Sequence, residues 1–473
     1  MSLVLSLLAL LLTGCVGGSD LASSPGTAPV TGSSEVENYA LLNGRWFDGK
    51  GFEAATWYSV QGRLTRNPPQ GRLEVVDLSG LFIVPPFGEA HNHNVEGPWN
   101  LQAVSERYLK DGVFYVKIPN NVREFALQIR GRLNLPTSLD VAFAHAGLTG
   151  RGGHPIALYE DVLRRSWYEQ AIGPIERGWF ENRSYVVVET ERDVEEKWAL
   201  ITSGRPDFLK VYLVHSEDDA PDRRSGQAVV RTGLRPQLLP RIVAKAHAAG
   251  LAVTAHVETA ADFRQAVRAG VDEVAHVPGW LVKEAGDAAG ARLTEEDARL
   301  AAERKVRVVT TTVAGHAMPT DAGRHPQHGG QAAKQAGQGE PVLDELAWQV
   351  VKDNLTLLHR AGVRLAIGSD HADTSLDEVL HLRSLQIFDD LTLLNLWCDE
   401  TPAAIFPGRR IGRFEEGYEA SFLALGGNPL DDFTQVQAIR RRFKQGVLLN
   451  DRVGGDAAPS GSGHGIPDRQ PSQ

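Results

Sequence analysis

From Gly88 to about Phe406 the chain repeats one unit, a short apolar run followed by a helical stretch. That alternation predicts a parallel sheet with helical crossovers. Eight runs read as strands: FIVPPFGEA, VFYVKIP, LDVAFAHA, DFLKVYLV, LAVTAHV, VDEVAHV, VRVVTTTV and VRLAIGSD. Eight is the number that closes a (β/α)8 barrel, and the fifth run favours closure over an open sheet. Its residues Leu251, Val253, Ala255 and Val257 form an apolar row suited to packing under helices. Ala252, Thr254 and His256 form a row of small side chains rising to a polar one. The expected fold class is α/β, a TIM barrel over residues 86–406 with its chemistry at the carboxyl ends of the strands. Segments 38–85 and 407–452 carry shorter alternating stretches between Gly and Asn turns, which read as small antiparallel strands.

Composition narrows the chemistry. With 49 Lys plus Arg against 59 Asp plus Glu, a net charge of −10 and no basic stripe, nucleic acid is excluded as a partner. The two cysteines, Cys15 and Cys398, are too few for a disulfide framework or a thiolate zinc site. Any metal must be held by His, Asp, Glu or Lys.

The apolar run Leu3–Leu12 is about half the length that spans a bilayer, which marks residues 1–15 as a signal peptide. The string Leu-Thr-Gly-Cys that closes it resembles the bacterial lipobox, although no Lys or Arg precedes the run. Lipidation at Cys15 implies an exported protein whose only membrane contact is that anchor. Residues 16–37 read as a flexible linker and 453–473 as a disordered tail. The Gly- and Gln-rich stretch 314–340 reads as a lid loop, with His316, His325 and His328 solvated.

His91 and His93 end the first strand. Residues two apart on a strand share a side, so the pair can grip one cation. A lone His-x-His is a weak signal. Four more candidate ligands close other strands of the same barrel: Lys210, His256, His276 and Asp370. Tyr212, two residues beyond Lys210, shares its face and can reach a substrate or an oxyanion. His145 and His154 fall on the same rim. His371 points away from it if the last strand continues past Asp370. Arg151, Arg223 and Arg224 are candidates for a substrate carboxylate, with surface solvation the better account.

These strings, with NGRWFDG, GRPDFLKVYL, VTAHVETAADFRQAVRAGVDEVAH, TPAAIF and IGRFEEGYEASFLALGGNPL, resemble the amidohydrolase superfamily, and within it the imidazolonepropionase-like and prolidase-like binuclear hydrolases. The resemblance runs from Tyr39 to Asn450 and implies that both chain ends assemble a small β-sandwich beside the barrel. It implies two divalent metal ions, Zn2+ foremost. His91, His93 and Asp370 would hold one, His256 and His276 the other, and Lys210 would bridge them. A lysine ammonium is repelled by two cations. Addition of CO2 to Lys210, the modification this family uses, gives an anionic carbamate that can take both. A bridging hydroxide would attack a carbonyl carbon of an amide bond, dipeptides among the candidates. Asp370 would move the proton to the leaving amine. The net positive site would attract a small substrate carrying a carboxylate, and a homo-oligomer fits the family.

Three other readings stand beside this one. Mononuclear deaminases of the superfamily use a glutamate three residues after the strand-five histidine. Here Glu258 follows His256 by two, and position 259 is Thr. Lactone or ester hydrolysis uses the same site, and a solute-binding lipoprotein would keep the barrel without catalysis. Two strings depart from the family: Phe87-Gly88-Glu89 replaces its usual run before His-x-His, which questions the supporting carboxylate there, and Ala420-Ser421 replaces its Ala-Asp.

Overall fold

The computed structural model describes residues 38–218, 232–282, 285–315 and 345–449. The signal segment with Cys15, the linker, Arg223 and Arg224, the stretch bearing His316, His325 and His328, and the tail lie outside the described residues. No described helix is long and apolar enough to cross a membrane.

The chain begins with β1 (Tyr39–Phe47), β2 (Phe52–Val60), β3 (Arg63–Thr65), β4 (Glu74–Asp77) and β5 (Phe82–Val84). Pro85 and Pro86 follow. Proline has no N–H to continue a ladder and its ring restricts the residue before it. The run FIVPPFGEA, expected as one strand, is therefore cut in two. Its first half, β5, pairs with β1. Its second half, β6 (Phe87–Glu89), enters a different sheet, made with β7 (Val113–Ile118) and β8 (Asp140–Phe143).

The next strands are β9 (Gly147–Thr149), β10 (Tyr185–Val187), β11 (Leu209–Tyr212), β12 (Val253–His256), β13 (Glu273–Ala275), β14 (Arg307–Val309) and β15 (Arg364–Ala366). They form a seven-stranded parallel sheet in the order β10-β9-β11-β12-β13-β14-β15. Ala90 N donates to Ile367 O at 2.8 Å, Ser369 N to His91 O at 3.1 Å, and Asp207 N to Phe143 O at 2.8 Å. These bonds tie the three-stranded sheet to both β15 and the start of β11. The mixed α/β architecture with parallel strands is thus as expected. β9 and β10 are an addition that short apolar runs did not announce.

Helices cross between the strands and bury one face. In Ala260–Ala269, Ala260, Phe263, Ala266 and Val267 point inward at helical spacing. Thr259 caps this helix by accepting from Asp262 N, and Asp262 answers with a bond from Thr259 N. Such a cap contributes about 1 kcal/mol, and it fixes the path of the chain immediately after His256. The core cluster holds Val253, Ala255 and Val257, the row expected to lie under helices.

After β15 come β16 (Phe422–Leu425), β17 (Ile439–Lys444) and β18 (Val447–Leu449). β16 pairs antiparallel with β5, so strands from both ends of the chain make one eight-stranded sheet. Its core is aromatic: Trp46 lies 5.3 Å from Phe422, which stacks on Phe443 at 4.8 Å. Ser421 accepts a hydrogen bond from Gln445 N within this sheet.

Candidate metal centre

His91 and His93 do not lie in a strand: β6 ends at Glu89, and Asn92 between them bridges to Asp370. Their rings nonetheless meet one carboxylate. His91 Nε2 is 3.5 Å and His93 Nε2 3.3 Å from Asp370 Oδ1. Donor atoms of the three lie within 4.8 Å of one another, the spacing of ligands around one ion. Close approach of β15 to His91 requires Gly368 in the Gly-Ser-Asp turn, because a Cβ there would stand 2.8 Å from His91 Cβ and 2.5 Å from Val309 Cγ1.

His276 is 4.9 Å from His91 and 4.6 Å from His256, ring centre to ring centre. It lies one residue past β13 at φ 78°, an uncommon backbone for a non-glycine residue. On β11, Lys210 pairs in register with Thr254, and Tyr212 with His256. Lys210 is 1% exposed and its Nζ has no hydrogen-bond partner. Tyr212 packs so closely on β9 that a Cβ at Gly147 would stand 2.4 Å from its ring. All six expected ligands and Tyr212 therefore gather at the carboxyl ends of the parallel strands.

The electrostatics suit a cation. Burial opposes charge on Asp370. His371 and the hydrogen bonds from His91 and His93 outweigh it, holding the carboxyl well below the usual range. Burial keeps His91, His256 and His276 neutral, His276 down to about 3, and the charge of Lys210 adds to the effect. Neutral imidazoles offer lone pairs. Burial also lowers Lys210 to about 7, against the pull of Asp370 and Glu273. Near neutral pH a substantial share of this lysine is a free amine.

Hydrogen bonds sort the ring nitrogens. His93 Nδ1 is 3.3 Å from Asn120 O, His276 Nδ1 2.8 Å from Thr311 Oγ1, and His256 Nε2 3.2 Å from Glu258 Oε1. With those atoms engaged, Nε2 of His93 and of His276 and Nδ1 of His256 remain for a ligand. Behind His91, Glu89 accepts from His91 N, Ser369 N and Ser369 Oγ. Burial raises this carboxyl to about 8. The glutamate in the departing string thus places a carboxyl group beside the ligands, held largely protonated by its burial.

His371 behaves differently from the sequence expectation. His371 was expected to point away. Because β15 stops at Ala366 and Asp370 takes φ 55°, the chain turns and brings His371 Nε2 to 3.6 Å from Asp370 Oδ2, with its ring 5.5 Å from that of His93. His154 stacks on His256 at 4.8 Å and stands 5.2 Å from the Tyr212 ring, so it belongs to the site. His145 does not: its Nε2 is bound to Gly204 O at 3.3 Å. Arg151 is exposed. Sequence reasoning also passed over Asn120, Thr311 and Trp280, whose ring is 5.8 Å from that of His276. Only Glu258 carried a signal, as the next residue on the His256 side of the chain.

No protein-family model matches the chain, and no curated protein sequence does. Solved structures match along nearly their whole length. An A. niger ochratoxinase has a TM-score of 0.64 at 18% identity, covering 89% of this chain and 98% of its own. A prolidase complexed with N-methylphosphonate-L-proline has 0.62 at 20%, covering 87% and 99%. Phenylurea hydrolase B has 0.62 at 18%, covering 90% and 100%. The chain shares their fold. At such identities the likeness extends to architecture and no further.

Proposed function

We propose that the protein is a metal-dependent amidohydrolase that cleaves an amide C–N bond, on a closed (β/α)8 barrel flanked by a β-sandwich from both chain ends. Closure is supported by the bonds joining β6 to β15 and by the contact of Lys117, on β7, with Glu273, on β13, at 2.6 Å. Those strands are not neighbours, so the contact crosses the interior.

The observation that carries the function is the buried, unpartnered Nζ of Lys210 amid three neutral histidines and an ionised aspartate. A buried amine without a partner is costly. Addition of CO2 to the free amine, with loss of a proton, would give an anionic carbamate that could hold cations and would relieve that cost. The residues present fit two divalent ions: His91, His93 and Asp370 for one, His256 and His276 for the other, carboxylated Lys210 for both. When bound, such ions supply carbonyl polarisation and a water acidic enough to be deprotonated at neutral pH.

The side chains supply the rest. Asp370 stands at the centre of the cluster with its carboxyl ionised, ready to accept a proton from the attacking water and return it to the leaving nitrogen. Tyr212, whose hydroxyl is held protonated by burial, donates to the oxygen that gains charge. His154, beside both Tyr212 and His256, is placed to contact the same oxygen or the substrate carboxylate. Of the solved relatives in fold, one is a prolidase bound to a proline phosphonate, and dipeptides lead the substrates to test. Zinc-loaded protein offered dipeptides, N-acyl amino acids and lactones should cleave an amide. Cleavage of lactones alone, or protein that takes up no divalent ion, rejects the proposal.

A further inference from the structure

We propose that Thr311 positions His276 as a ligand and that Glu378 holds Thr311 in place. This rests on the reading of His276 as a metal ligand. Thr311 Oγ1 lies 2.8 Å from His276 Nδ1. With Nδ1–H donating to that oxygen, the lone pair falls on Nε2 and the ring cannot swing without losing the bond.

The backbone is arranged to make this one contact. Thr311 takes φ 45° and His276 φ 78°. For a β-branched threonine the left-handed region is strained and persists only when its surroundings impose it. The surroundings do so. Thr310 N donates to Ala366 O and Thr311 N to Gly368 O, each at 3.0 Å, so the turn after β14 copies the course of the chain towards Asp370. On its other side Glu378 accepts three bonds, from Thr312 N at 2.9 Å, Thr312 Oγ1 at 2.9 Å and Val313 N at 2.7 Å. Glu378 is fully buried.

Glu378 sits in helix Ser375–Ser384, the helix that follows Asp370. One element thus carries both the exit of the Asp370 strand and the clamp on the turn that orients His276. The two halves of the proposed centre, which share Lys210, are joined a second time through protein.

The test compares Thr311→Val, which keeps shape and β-branching but removes the hydroxyl, with Thr311→Ser, which keeps the hydroxyl. Metal-free proteins are titrated with Zn2+ in competition with a chromophoric chelator, and their thermal midpoints are recorded. Wild type and Thr311→Ser should take two ions alike. Thr311→Val should hold one as tightly as wild type and the other about 10–100-fold more weakly, with the metal-free midpoint unchanged. Glu378→Gln, which cannot accept all three bonds, should loosen the same ion and guards against misfolding of the valine variant. Two ions held at wild-type affinity by Thr311→Val overturn the proposal alone. A wild type that takes up none overturns the hydrolase reading with it.

Discussion

Lys117 Nζ and Glu273 Oε1 are 2.6 Å apart and almost wholly buried, with Thr254 Oγ1 within 3.0 Å of each. This trio lies one layer below the ligands, since Thr254 and His256 are two apart on β12. Glu273 draws Lys210 towards its charged form and Lys117 opposes it. After burial and Asp370, the pair contributes two opposed charges to the field in which the lysine sits.

Breaking such a pair leaves one charge buried alone. Lys117→Met or Glu273→Gln should each destabilise the protein by about 3–5 kcal/mol. The double variant Lys117→Met/Glu273→Gln should cost less than their sum. Urea unfolding of the four proteins measures the coupling, and additive losses would show the contact to be energetically idle.

Asp370 is both ligand and proton carrier in the proposed reaction. Asp370→Asn keeps the shape and removes the base, and turnover should fall by about 10²–10⁴-fold. Steady-state rates on whichever amide is cleaved give the answer, and full activity rejects the role.

Removing a single oxyanion donor typically costs about 10²–10³ in kcat. Tyr212→Phe should show that loss with KM nearly unchanged, because the bond strengthens only as charge develops. A loss confined to KM would make Tyr212 a binding residue instead.

Burial lowers Lys210 from 10.5 to about 7. Between those values the unfolded chain holds a proton on this lysine that the folded chain largely lacks. The stability of metal-free, CO2-free protein should therefore rise with pH across that window, and the full penalty applies below it. Lys210→Met removes the contribution. Urea midpoints at about pH 7 and pH 10 should converge between wild type and variant at the higher pH, and parallel slopes would contradict the lowered value.

We propose the lipid anchor at Cys15 on sequence alone. Palmitate labelling of the expressed precursor should vanish in Cys15→Ser, and labelling that persists refutes it.

Much of this was legible in the chain. Each of the eight apolar runs contains a parallel strand, because period and length alone distinguish buried strands from crossover helices. The ligand candidates were visible because strand ends are where parallel α/β folds place polar groups. What was hidden depends on turns. Pro85 and Pro86 divide a run between two sheets, and the positive φ of Asp370 reverses the direction of His371. Thr311 stands in a row of three threonines, and nothing in Thr-Thr-Thr says which hydroxyl meets a histidine that is distant in sequence. The segment with β9 and β10 has an aromatic cluster of its own, around Tyr159, Tyr168 and Phe180. Its strands are no shorter than β13, β14 or β15, but no regular alternation of apolar run and crossover helix sets them apart.

Because β5 completes its hydrogen bonding only against β16, a chain stopped before Phe422 presents bare backbone donors and acceptors along that side of the sheet. Such a border is a template for any passing strand. The amino-terminal strands of this sheet must wait for β16, hundreds of residues later in the chain, before this layer can close. Proteolytic or nonsense fragments lacking the final strands should accordingly collect in aggregates, even when every residue around His91 and Asp370 is present.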